Sequence, residues 1–119
     1  MKTKIINTIC QWAPEASDLM SDIERIDDTL ADYELLHKLA EVCMQKIHSG
    51  SKNEIERVQE IAKVVNLLYQ GGNQYTRNAI ENEFLTVMSF DESPGSLKRH
   101  LDLFPAELRK GYIKTILEN

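Results

Sequence analysis

Few residues in this sequence have types and spacings that could do chemistry, and each set is incomplete. Glu34-Leu35-Leu36-His37 is a Glu-x-x-His pair, the spacing that puts both ligands of a di-iron bundle on one helix face. Such sites need a second copy and two further glutamates, and the second copy is missing. Cys43 and His48 have no companion pair at zinc spacing, and neither CxxC nor HExxH occurs. Cys10, Cys43 and the histidines His37, His48 and His100 carry no nucleophile–base signature. Glu81 and Glu83 stand two apart and point in different directions on a helix, unlike a working carboxylate pair. GxGxxG and P-loop sequences are absent, so a phosphate cradle has no basis. The expectation is a protein that is not an enzyme, with no catalytic residue, no metal and no cofactor.

The compositional anomaly is charge. The net charge is −5 over 119 residues, and it is gathered near the beginning. Between Glu15 and Glu34 the carboxylates Glu15, Asp18, Asp22, Glu24, Asp27, Asp28, Asp32 and Glu34 face only Arg25. Such a surface repels free nucleic acid and attracts a basic protein. Glu15, Asp18, Asp22, Asp27, Asp28 and Asp32 are therefore the candidate partner-binding residues, with Tyr33 as an aromatic anchor between Asp32 and Glu34. The competing use of the sequence is nucleic-acid binding through a helix–GGN–helix corner. There Arg77 and Asn78 stand early in the second helix, where base contacts are made. Lys98, Arg99, His100, Arg109, Lys110 and Lys114 make the C-terminal region mildly basic.

The elements that must position these residues read as helices. Hydrophobic content of 42% suits one folded domain over residues 1–119. No apolar run approaches the roughly 20 residues that span a bilayer. The first residues lack the apolar core and cleavage site of a signal peptide, so a cytoplasmic chain with reduced cysteines is expected.

The central pair spans Ser51 to Phe90. Ser51 and Glu54 have capping-box spacing, and Ile55, Val58, Ile61, Ala62, Val65, Leu68 and Tyr69 recur at steps of three and four. Gly71 suits a left-handed helix stop, and Asn73 suits the N-cap of a helix from about Gln74 to Met88. Before this pair, helices are expected over Lys2–Trp12, with Trp12 near the apolar face, and over Pro14–Ile26. A third starts at a Thr29–Asp32 capping box and stops at Gly50, with His48 near its C-terminus. After the pair, Ser93 and Pro94 open a short helix burying Leu97, Leu101 and Phe104. A last helix follows Pro105 with Leu108, Tyr112, Ile113, Ile116 and Leu117 inward. The fold expected is all-α, six or seven amphipathic helices in antiparallel pairs, loosely HEAT-like.

Residues IERVQEIAKVVNLLYQGGNQYTRNAIENEFLTVMS and ESPGSLKRHLDLFPAELRKGYIKTI resemble a family of small all-helical bacterial proteins. Its pattern is a helix ending in a Gly or Asp turn, then R/K-N-A-I/V-E-N/x-x-F/L, then a Leu-rich tail with a late Pro. The matching residues are Arg77, Asn78, Ala79, Ile80, Glu81, Asn82, Phe84 and Leu85. Relatives of that family occur with polymorphic toxin systems, including contact-dependent inhibition loci, where the small partner is an immunity protein. The resemblance implies a protein that binds and neutralises a cognate toxin domain; it brings no active site with it.

Overall fold

The structure is a computed structural model describing residues 3–23, 27–90, 92–93 and 95–118. The expected helix start at Lys2, the buried position at Ile26 and the first-turn Pro94 lie outside the described residues. Helix α1, Lys4–Trp12, is capped by Thr3, whose hydroxyl accepts the Ile6 N–H at 3.1 Å. Ile5, Ile6 and Ile9 face inward. Trp12 does not: it is 62% exposed, because the chain turns at Ala13 and that alanine takes the interior position. Helix α2, Glu15–Met20, is short, and Ala16, Met20 and Ile23 carry its connection inward.

Helix α3, Asp28–Ser49, is capped by Asp27, which accepts the Leu30 N–H at 3.0 Å. The Thr29–Asp32 box does not form, since Thr29 is already helical and Asp32 is turned into the interior. Gly50 ends α3 in the left-handed region, φ 70°. Helix α4, Lys52–Gly71, follows at once. Ser51 makes no side-chain cap, and the Glu54 carboxylate, the other half of the expected box, accepts instead from Lys46 Nζ at 2.8 Å across the tight link.

At the next corner Gly71 is not left-handed; it is the last helical residue, and Gly72 is extended with φ −87°. What the corner demands is close approach. A Cβ on Gly72 would lie 2.5 Å from the Leu68 carbonyl oxygen and 2.8 Å from Thr76 Cγ2. Asn73 then accepts the Thr76 N–H at 2.9 Å. Helix α5 starts there. It runs through Gln74–Ala79, a π-helical turn at Ile80–Leu85, and Thr86–Ser89 without interruption. The Thr86 N–H and hydroxyl both reach the Glu81 carbonyl. The widened turn puts Ile80, Glu81, Phe84 and Leu85 inside together.

Helix α6, Leu97–Leu103, leaves Leu97 at 40% exposure and buries His100 and Leu103. Helix α7, Ala106–Glu118, buries Leu108, Gly111, Tyr112 and Thr115. Ile113 and Leu117 point outward instead, 41% and 80% exposed. Gly111 explains the shift: lacking a side chain, it lets α7 close on Tyr69 of α4, so the contact stripe passes through it.

With α5 counted once, the described residues form seven helices and no strand. The fold is all-α. Lys46 meets Glu54 at one end of the α3–α4 pair, while Asp32 meets Tyr75 at the other, so the two helices are antiparallel. His37 beside Glu83 aligns α5 with α3, and Asn66–Leu108 with Gly111 against Tyr69 sets α7 alongside α4. Leu35, Leu36, Leu39, Ile61, Val65, Phe84 and Leu85 fill the space between these helices. The radius of gyration of 13.4 Å is that of one compact body of this length, about 13.5 Å. No helix among the described residues is long and apolar enough to cross a membrane.

Candidate functional site

Glu24 and Arg25 lie outside the described residues; the candidate carboxylates separate into two groups. Glu15 and Asp32 are committed internally. Arg57 of α4 grips Glu15 with two hydrogen bonds, Nε to Oε2 at 2.7 Å and a terminal nitrogen to Oε1 at 2.8 Å. That guanidinium holds the Glu15 carboxyl below its ordinary range, against the opposing effect of burial. Asp32 is 1% exposed. It accepts from the Thr3 hydroxyl and, at 2.7 Å, from the Tyr75 hydroxyl. Burial and this carboxylate push the Tyr75 phenol up to about 12. Asp32 is therefore not a surface contact but a pin joining the starts of α1, α3 and α5. Its position on the stripe Asp32, Leu35, Leu36, Leu39 was the sequence signal for that.

Asp18, Asp22, Asp27 and Asp28 are exposed. They flank the α2–α3 connection, and among the described residues none of their carboxylates has a cation within ion-pair distance. Leu30, unremarked in the sequence, is 52% exposed on the first turn of α3. Tyr33 is half-buried and stacks on Tyr75, with ring centroids 6.2 Å apart at 29°. Asp28, Thr29, Asp32 and Tyr75 also line a cleft of about 350 Å³ with Thr3 and Lys4. The α2–α3 connection is thus flanked by exposed carboxylates, with an exposed leucine on the first turn of α3.

Two other polar clusters are interior. Tyr69 donates to Glu81 Oε2 at 2.6 Å, and Lys114 Nζ lies 3.2 and 3.4 Å from the two Glu81 oxygens. Burial and Glu81 raise the Tyr69 phenol to about 12. In the second cluster the Tyr112 hydroxyl donates to Glu92 at 2.7 Å, and His100 Nδ1 sits beside both groups. Burial, with Glu92, pushes the Tyr112 phenol up. These side chains tie α4, α5, α6 and α7 together, and no buried side-chain nitrogen or oxygen among the described residues lacks a hydrogen-bond partner.

The remaining chemistry-bearing residues lie apart. Glu34 pairs with Lys38 at 3.5 Å, and His37 stands 3.9 Å from both Glu41 and Glu83. Among the described residues no three His, Cys, Asp or Glu side chains gather as a metal site. Cys43 is buried, which pushes its thiol up to about 12. At the Gly-Gly-Asn corner, the Arg77 guanidinium lies over the Tyr69 ring at 5.2 Å and donates to the Gln70 carbonyl, while Asn78 accepts from Gln74. In the basic C-terminal region Lys98 pairs with Asp102, Lys110 with Glu107, and Arg109 donates to the carbonyls of Leu101 and Phe104.

No curated protein and no solved structure matches the chain. One family model does, over residues 6–118, and by that match the chain belongs to the family described as a domain of unknown function, DUF7674.

Proposed function

We propose that this chain is a non-enzymatic protein-binding module of the bacterial cytoplasm, an immunity protein that occludes a basic toxin domain, a nuclease being the class that best fits the charge. The observation that carries the reading is that Asp18, Asp22, Asp27 and Asp28 are all exposed on either side of the α2–α3 connection, with Leu30 exposed on the first turn of α3. Exposed carboxylates that have no cation at ion-pair distance among the described residues cost stability through mutual repulsion, which is offset when they steer a cationic partner. The exposed Leu30 supplies an apolar contact that charge alone lacks. Occlusion needs no reactive group. Residues 77–85 carry the resemblance to a family of small all-helical bacterial proteins with relatives in toxin systems, which points to the same class of partner.

The test is co-purification with the product of the neighbouring gene, followed by binding kinetics. Reversing Asp18, Asp22 and Asp28 to lysine is expected to slow association by about tenfold or more at low salt and to flatten its salt dependence. Asp27 is left intact because it caps α3. Leu30→Ala is expected to act on dissociation. A complex whose kinetics ignore both changes removes this face from the reading.

A further inference from the structure

A cleft of about 340 Å³ lies between α1 and the α4–α5 corner, lined by Lys4, Thr8, Leu67, Leu68, Gly71 and Thr76 among others. That is within the roughly 300–1,000 Å³ of small-molecule sites. The two corner glycines differ in what they need. Gly72 is required by packing, since any Cβ there meets the Leu68 carbonyl oxygen and Thr76. Gly71 is required by nothing in the fold: it is helical, its φ is not positive, and a Cβ there meets no atom within 4 Å. Alanine would favour the helix at that position. What glycine preserves is the open space of the cleft.

The cleft's wall is apolar where α4 faces it. Leu67 is 62% exposed there, on a helix whose neighbouring outward positions are Lys63 and Gln70. Lys4, on the opposite side, has no ion-pair partner among the described residues. Among the described residues it is the one charged side chain lining this cleft. The adjoining cleft shares Lys4, Asn73 and Thr76 but adds Asp28 and Asp32, whose charge keeps an anion on the Leu67 side.

We propose that this cleft binds a small amphipathic carboxylate, with its hydrocarbon part against Leu67 and Leu68 and its carboxylate at the Lys4 ammonium, the threonine hydroxyls completing the polar end. This site is separate from the docking face and stands independently of it. The experiment is titration of the full chain with octanoate, followed through the methyl resonances of Thr8, Leu67, Leu68 and Thr76, with octanol and octylamine as controls. Octanoate is expected to shift these four residues selectively, and octylamine is not. Gly71→Phe, which projects a ring into the cleft from a permissive helical position, is expected to melt as the parent does and to bind octanoate about tenfold or more weaker. Lys4→Met is expected to weaken octanoate several-fold and to leave octanol unchanged. Absence of selective shifts, or undiminished octanoate binding by folded Gly71→Phe, overturns the site. Octanol binding as tightly as octanoate overturns the role of Lys4.

Discussion

The hydroxyl of Tyr69 in α4 donates to Glu81 in α5 at 2.6 Å, and the α5 backbone is wound into a π-turn where that glutamate points inward. Glu81 also receives Lys114 from α7, so one carboxylate holds three helices. A buried donor stripped of its acceptor costs about 1–3 kcal/mol. Glu81→Ala should therefore lower the unfolding free energy by about 2 kcal/mol, read as a shifted urea midpoint at unchanged slope. Combining it with Tyr69→Phe should cost much less than the sum of the two; strict additivity would show that the bond does not couple them.

The glycines make a graded series. Gly111→Ala places a methyl 2.7 Å from the Tyr69 hydroxyl oxygen, so the ring must shift away from Glu81. The gain of about 1 kcal/mol in helix propensity is outweighed by an overpacking cost of about 1–3 kcal/mol. Gly72→Ala should also destabilise, because its neighbour is a backbone oxygen at 2.5 Å. Gly71→Ala should raise stability by about 0.5–1 kcal/mol. Thermal melts of the three variants should rank in that way, with Gly71→Ala alone above the parent.

The Glu15–Arg57 pair sets an acid limit. Arg57 holds the folded carboxyl below its ordinary value of 4.5, so the contribution is complete above that value and disappears as pH falls through the lower, folded one. Melting temperature followed from neutral to acid pH should drop less in Glu15→Gln than in the parent through that window. Equal slopes would mean the pair has no net linkage.

At the alkaline end the sign reverses. Tyr69 and Tyr75 rise from an ordinary 10.0 to about 12, and Tyr112 is raised as well. Their neutral forms are favoured by the fold, so this stability is full below 10 and is lost as pH rises towards 12. Tyrosinate absorbance should show these phenols ionising late, in step with loss of helical circular dichroism. Early ionisation of Tyr69, Tyr75 and Tyr112 in the folded protein would contradict their hydrogen bonds to Glu81, Asp32 and Glu92.

How much of this the sequence held follows from the range of each interaction. Apolar residues at steps of three and four located α3, α4 and α5, and the local signals Gly50 and Asn73 marked their ends where the structure has them. Local signals failed where a distant partner outbid them. Glu54 left the Ser51 cap for Lys46, and Asp32 left a helix start for Thr3 and Tyr75, 29 and 43 residues away. Ile113 and Leu117 carry apolar side chains yet face out, because the closeness of α7 to Tyr69 is decided by the missing side chain at Gly111. The charge near the beginning of the chain was plain from composition. Which carboxylates remain in water was settled only when α4 brought Arg57 to Glu15 and α5 brought Tyr75 to Asp32, since hydrogen-bond partners depend on distance through space and not along the chain.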